Sequence, residues 1–169
     1  MSTIPVIGFA AFSGTGKTTL LEQVIVRLKA QGLRLGVLKH DAHDFDIDHE
    51  GKDSWRFQRA GADITLISSA TKMALVEQRP RTFEENIAML HDVDLILVEG
   101  YKQETLPRIG ICRRATGKGL PGDVTDYAAV VTDDPEVAAR AQERGIAHFA
   151  LSDVSGVVEH ILRMAGLCP

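Results

Sequence analysis

Cysteine is scarce in this chain, with Cys112 and Cys168 the only two. They form neither a metal-type spacing nor a disulfide framework, which argues against a stapled secreted scaffold and for a reduced, cytoplasmic setting. Cys112 lies in an apolar stretch and reads as a core residue. Long apolar runs are missing as well. The first, Ile4 to Ala11, has no basic segment before it and stops at a glycine-rich turn, far short of the ~20 residues that span a bilayer. A cytoplasmic protein that contacts no membrane is expected. An excess of positive charge is also lacking. The net charge is −4, so there is no electrostatic case for nucleic acid as a partner. Basic residues do cluster locally, at Arg108, Arg113, Arg114 and Lys118. They read either as a solvated strand end or as a contact for a phosphorylated partner. Repeats, low-complexity runs and interdomain linkers are absent. The 169 residues have ordinary composition. One domain, residues 1–169, is expected, burying about 70% of its unfolded surface.

What is present is organised around Phe12-Ser13-Gly14-Thr15-Gly16-Lys17-Thr18-Thr19. The apolar run leads in. A helical pattern with Leu20, Leu21, Val24, Ile25 and Leu28 on one face leads out. Strand, glycine-rich turn, Lys-Thr and helix is the layout of a phosphate-binding P-loop. Gly14 and Gly16 let the backbone curl so that its N–H groups converge on an anion. The helix N-terminus adds partial positive charge. Lys17 is placed to reach the β- and γ-phosphates, and the Thr18 hydroxyl to ligate Mg²⁺. The motif asks for glycine at the strand exit; Ala11 stands there, the smallest change possible. The plain alternative is a glycine-rich turn that merely caps a helix.

The rest of the chain alternates strand and helix. Helix Lys17–Gln31 ends at Gly32, and Leu33–Leu38 is the next strand, parallel to the first. Gly51-Lys52-Asp53-Ser54 opens a short helix capped by Asp53 or Ser54, with Trp55 and Ala60 facing the core. Trp55 reads as core packing, with stacking on a nucleobase as the lesser alternative. Asp63–Ser69 and Lys72–Glu77 form an antiparallel hairpin. Thr82-x-x-Glu85 is a capping box for a helix running to about His91. Leu106–Arg113, with Pro107 at its start, reads as an edge strand. Ala115–Asp126 is a long, glycine-rich mobile loop. Tyr127–Thr132 is a buried strand, Asp134-Pro135 starts a helix, Ala147–Leu151 is the last strand, and Ser152 or Asp153 caps the last helix. The fold expected is α/β: a mostly parallel twisted sheet flanked by helices, of P-loop type, with an antiparallel hairpin.

Two further stretches carry chemistry. Residues Asp41 to Glu50 hold five carboxylates and two histidines, directly after His40. They follow the C-terminal end of a parallel strand, where ligands bind in open α/β sheets. One reading is a switch that orients Mg²⁺ and water at a γ-phosphate, with Asp44 in a catalytic role and Asp46 and Asp48 toward the metal. Another is a divalent-metal site in its own right. A solvated acidic loop is the plain account. Asp94-Leu95-Ile96-Leu97-Val98-Glu99-Gly100 is the second stretch, a buried strand ending in an acid. Glu99 takes the place of the usual aspartate near Mg²⁺, and Gly100 allows close approach to the γ-phosphate.

These residues resemble the MobB family, the molybdopterin-guanine dinucleotide biosynthesis protein B family of P-loop GTPases. The similar stretches are the P-loop with its non-glycine first position, Leu38-Lys39-His40 followed by His43-Asp44-x-Asp46-x-Asp48, Gly51-Lys52-Asp53-Ser54, Ala60-Gly61-Ala62, and Asp94 through Glu99-Gly100 to Tyr101-Lys102. The resemblance covers most of the chain. It implies GTP and Mg²⁺ as cofactors, slow hydrolysis and a homodimer. It also implies help to a MobA-like guanylyltransferase, with molybdopterin or its guanine dinucleotide as a further partner. Val131-Thr132-Asp133 matches the family's guanine-contacting position. A carboxylate there accepts the N–H groups of guanine N1 and N2, although the usual Asn-Lys-x-Asp is absent and Asp133 also fits a plain strand-to-helix turn.

Three functions compete on these residues. The first is a GTPase accessory protein of molybdenum cofactor assembly. The phosphates are bound by Ser13 to Thr19 and Gly100, Lys17, Glu99 and Asp44 act in catalysis, and Thr18, Glu99, Asp46 and Asp48 serve the metal. The second is a small-molecule kinase with Arg113, Arg114 and Lys118 as a lid. The third is a non-catalytic, nucleotide-dependent adapter.

Overall fold

The computed structural model describes residues 4–41 and 45–167. In chain order the elements are β1 (Val6–Ala10), α1 (Lys17–Ala30), β2 (Leu35–Lys39), α2 (Asp53–Arg59), β3 (Ile64–Ser68), β4 (Met73–Glu77) and α3 (Phe83–Ala88). They continue with β5 (Leu95–Glu99), β6 (Arg108–Cys112), β7 (Ala129–Thr132), α4 (Pro135–Glu143), β8 (Ala147–Phe149) and α5 (Val154–Ala165). Two compact units result: residues up to 40 joined with those from 86 onward, and residues 41–85.

The first unit is built on a parallel sheet of order β2-β5-β1-β6-β7-β8. Continuous apolar runs make its central strands, because both faces are covered. Leu95, Ile96, Leu97 and Val98 are each 0% exposed. One layer of core packs Leu20, Leu21, Val24 and Leu28 of α1 and Val157, Val158 and Ile161 of α5 against Ile7, Phe9, Leu97 and Ile111. A second cluster sets Val137 and Ala141 of α4 with Cys112, Val124, Tyr127 and Val130. Asp134 caps α4 by accepting from Glu136 N at 3.0 Å, with Pro135 next. Asp153 caps α5 by accepting from Gly156 N at 2.9 Å. Cys112 is a buried free thiol, as its apolar neighbours predict.

The edge-strand reading of β6 is wrong. That strand lies between β1 and β7. Pro107 is compatible with this because it precedes the ladder. Its missing N–H is not needed there, and its carbonyl accepts from Gly8 N at 2.8 Å. The stretch after β6 is a loop, as expected, with 3₁₀ turns at Arg114–Thr116 and Val124–Asp126. Asp123 and Asp126 cap the second turn reciprocally, and the Tyr127 hydroxyl donates to Pro121 O.

The second unit holds the antiparallel hairpin β3–β4, in register from Ile64↔Glu77 to Ser68↔Met73, with α2 packed on β3. The helix starts one residue earlier than its cap signal suggests: Lys52 is the N-cap and its side chain makes no capping hydrogen bond. Trp55 is half-buried and Ala60 exposed, so the expected core face of α2 is not formed. The Arg59 guanidinium instead lies 5.2 Å from the Trp55 ring centroid, a cation–π contact. Thr82 and Glu85 form the predicted capping box, with bonds of 2.8 and 3.2 Å. The helix they cap ends at Ala88 rather than near His91. The chain tightens there into i→i+3 bonds, Met89 N to Asn86 O and Leu90 N to Ile87 O.

Candidate functional site

β1 lies at the middle of the sheet, with β5 on one side and β6 on the other. Its exit and theirs therefore open at one edge, where ligands bind in open α/β sheets. The turn from β1 into α1 carries Ser13, Gly14, Thr15, Gly16, Lys17, Thr18 and Thr19. Gly14 and Gly16 have φ of 85° and 89°, values costly for any residue with a Cβ. Gly16 is the N-cap of a 14-residue helix, whose first N–H groups have no partner within the helix. Thr15 is buried, and its hydroxyl donates to Phe12 O at 2.9 Å, pinning the turn from inside. Thr18 and Thr19 sit exposed in the first helical turn. Ala11 is buried and has no positive φ, which explains why glycine is not needed there.

Register places Phe9 opposite Glu99. The loop then carries Lys17 back over the strand end, so that its Nζ lies 3.1 Å from Glu99 Oε1, with side chains 21% and 13% exposed. The two charged residues singled out from separate motifs are thus one ion pair. Gly100 follows with φ 94°. A Cβ at that position would stand 2.9 Å from both the Cβ and the carbonyl oxygen of His40. Close approach between the ends of β2 and β5 therefore demands glycine. Tyr101 next has φ 48°. It is held by Asn86 Nδ2 donating to its hydroxyl at 2.8 Å, by Arg108 donating to its carbonyl, and by the His40 ring at 4.6 Å. Backbone held in this region marks an over-determined site.

On the other side, Asp133 follows β7 directly. Its Oδ1 accepts the backbone N–H of Arg114 at 2.6 Å. Arg113 lies against the P-loop: a Cβ built on Gly16 would be 3.4 Å from its Nη2. Lys118 donates to Ser13 O at 3.1 Å. The sequence shows these basic residues as a cluster and, in the kinase reading, as a lid, but no local pattern encodes their particular contacts, which join positions up to 105 residues apart.

Asp46 and Asp48 belong to the second unit. Asp48 accepts from His49 N at 2.8 Å and from Gln58 Nε2 at 3.3 Å. Hydrogen bonds from Ser54 and then from the His49 backbone hold its carboxyl below the usual aspartate range. Asp44 and His43 lie outside the described residues. Among the described residues no three His, Cys, Asp or Glu side chains cluster as a metal cage. Mg²⁺, though, commonly takes only one or two protein ligands beside phosphate oxygens and water. A hydroxyl at Thr18 and a carboxylate at Glu99 are the right donors for that. The positive-φ glycines, helix terminus and lysine form a cradle suited to a nucleotide's phosphates.

Sheet order, turn and Lys17–Glu99 pair together define a P-loop fold. Residues 6–133 match the MobB model, described as molybdopterin guanine dinucleotide synthesis protein B. The chain is 37% identical over 167 residues to the molybdopterin-guanine dinucleotide biosynthesis adapter protein of Escherichia coli (strain K12), spanning 94% of this chain and 92% of that one. It is 39% identical over 137 residues to the adapter protein of the same name from Haemophilus influenzae, spanning 78% and 76%. A crystal structure of Bacillus subtilis MobB superposes with a TM-score of 0.77 at 28% identity, over 95% of this chain and 97% of that one. The chain belongs to the MobB family.

Proposed function

We propose that this protein is a GTP-binding adapter in molybdopterin guanine dinucleotide synthesis, with a slow Mg²⁺-dependent GTPase activity, assisting a MobA-like guanylyltransferase in the cytoplasm. The observation that carries the reading is the Lys17–Glu99 pair at 3.1 Å beside the P-loop. It brings a phosphate-binding cation and a magnesium-type acid to one place. Bound Mg²⁺ would supply charge neutralisation at the phosphates, with Thr18 and Glu99 as its protein ligands. The amides of Ser13 to Thr19 and of Gly100 would bind and orient phosphate oxygens. Asp44, Asp46 and Asp48 are proposed, on sequence pattern, to sense the γ-phosphate. Asp133 would read guanine. Its bond to Arg114 does not preclude this, because a carboxylate has about four acceptor sites. Turnover of about one per minute or slower is expected, as for GTPases without an arginine supplied by a partner protein.

A homodimer is also proposed, and the second unit offers a candidate surface for it. Ile64, Leu66 and Met73 are 55%, 55% and 64% exposed on the hairpin, and clustered exposed apolar side chains mark interaction sites. Molybdopterin or its guanine dinucleotide remains a proposed partner. Two other readings keep an observation each. Arg113 and Lys118 at the P-loop fit a small-molecule kinase, and the adapter names of the relatives fit a non-catalytic module.

The deciding experiment is a binding panel of GTP, GDP and ATP with and without Mg²⁺, with hydrolysis followed in parallel and a pull-down of the guanylyltransferase. Saturable, Mg²⁺-dependent preference for GTP with slow turnover is expected. Tighter ATP binding removes the guanine reading. Rapid phosphoryl transfer to a metabolite favours the kinase. Partner capture indifferent to nucleotide favours the plain adapter.

A further inference from the structure

The turn that leaves β6 is tied to the nucleotide edge at two points. Asp133 Oδ1 takes the Arg114 N–H at 2.6 Å at its start. Lys118 Nζ gives a bond to Ser13 O at 3.1 Å at its far end. Between them the chain closes on itself, with Thr116 N and Oγ1 both donating to Arg113 O and Gly117 N to Arg114 O. Arg113 is the residue this frame presents to Gly16, with Nη2 and Cζ 3.4 and 3.7 Å from the position of a Cβ there. Among the described residues Arg113 has no carboxylate as an ion-pair partner, whereas Arg140, Arg79 and Arg81 each have at least one. A guanidinium is planar and suited to forked contact with phosphate oxygens.

We propose that Arg113 is a phosphate-binding residue of the P-loop site, and that Asp133 is the positioning residue that holds it there through the Arg114 N–H. The inference rests on the nucleotide-binding reading and deepens it. Asp133 then has two separable tasks. One is a structural acceptor bond, which needs only an oxygen at that position. The other is base recognition, which needs a carboxylate. An asparagine keeps the first and loses the second; an alanine loses both.

The test uses three probes with Mg²⁺: inorganic tripolyphosphate, which has phosphates and no base, together with GTP and ATP. Calorimetry is run on the full chain and on Arg113→Ala, Arg113→Lys, Asp133→Ala and Asp133→Asn, with a urea midpoint for each to show that it folds. Arg113→Ala should weaken all three probes by a shared factor of about ten, the scale of one charge-assisted contact. It should also reduce the salt dependence of tripolyphosphate binding. Arg113→Lys should recover part of the loss. Asp133→Ala should weaken tripolyphosphate about three- to tenfold, by the same scale. Asp133→Asn should leave tripolyphosphate within about threefold of the parent, while GTP loses its advantage over ATP.

Unchanged tripolyphosphate binding in Arg113→Ala overturns the inference and leaves the GTP reading standing. So does an Asp133→Ala variant that alters only the GTP-to-ATP ratio, or a parent chain that binds GTP but not tripolyphosphate. A parent chain that binds none of the three overturns the nucleotide reading and this inference with it.

Discussion

Lys17 Nζ and Glu99 Oε1 stand 3.1 Å apart, joining the exits of two neighbouring strands. As a stability term the pair counts for little, because the cost of desolvating two largely buried charges offsets much of their attraction. Their importance is local: they put a cation and an acid where phosphate and metal would meet. Lys17→Ala is expected to lower GTP affinity about tenfold or more, as a charge-assisted contact contributes roughly 1.5–3 kcal/mol. Glu99→Gln should instead flatten the Mg²⁺ dependence of binding. Equilibrium dialysis at high and low Mg²⁺ distinguishes the two effects.

Gly100→Ala tests the approach of β2 to β5. The new methyl would need φ 94° and would meet His40 Cβ and O at 2.9 Å. A loss of about 1–3 kcal/mol is expected from the backbone conformation alone. Urea denaturation reads the stability, and GTP binding reads the displacement of Glu99.

Ala11→Gly makes the opposite point. This residue is buried with no positive φ. Restoring the motif's glycine should leave GTP affinity unchanged and cost about 0.5–1 kcal/mol of stability, through greater freedom of the unfolded chain. A gain in affinity would show that the methyl group obstructs the site.

Much of this arrangement was legible in the chain itself. Buried apolar strands, the glycine-rich turn and the capping signals of α3, α4 and α5 are local patterns, and local physics decides them. The acid at the end of β5 was legible only together with the P-loop, since any buried strand can end in an acid and the run by itself marks nothing. Arg113 against Gly16 and Arg114 N–H on Asp133 were not, since no local pattern encodes a contact between distant turns. Pro107 misled because proline usually avoids a central strand; its position one residue ahead of the ladder removes the conflict. Trp55 misled because a short helix on a two-stranded sheet has little core to offer it.

Acid titration should find the second unit through Glu77. Arg79 first and Arg81 second hold its carboxyl below the usual value of 4.5. A depressed carboxyl stabilises the fold above its unfolded value and loses that contribution as pH falls toward the folded one. Stability is therefore expected to drop below about pH 4.5 more steeply in the parent than in Glu77→Gln. Urea midpoints measured down the acid range check it.

At alkaline pH the reporter is Tyr127. Burial first, and the nearby Asp126 charge second, push its phenol up to about 12. The linked stability is complete below the ordinary tyrosine value of 10.0 and fades as pH rises through the folded one. Ultraviolet titration should show a phenol ionising near 12 in the parent that is missing in Tyr127→Phe.

The register of β1 on β5, with Phe9 opposite Glu99, acts as a ruler. Side chains alternate faces along a strand, so one residue removed between Leu95 and Val98 would turn the carboxylate to the far side of the sheet. It would also move apolar side chains that are now fully buried out of their layers. The site is thus indexed to the core. The chain has no way to shift Glu99 away from Lys17 by a single step in β5 without also unpacking the centre of the sheet.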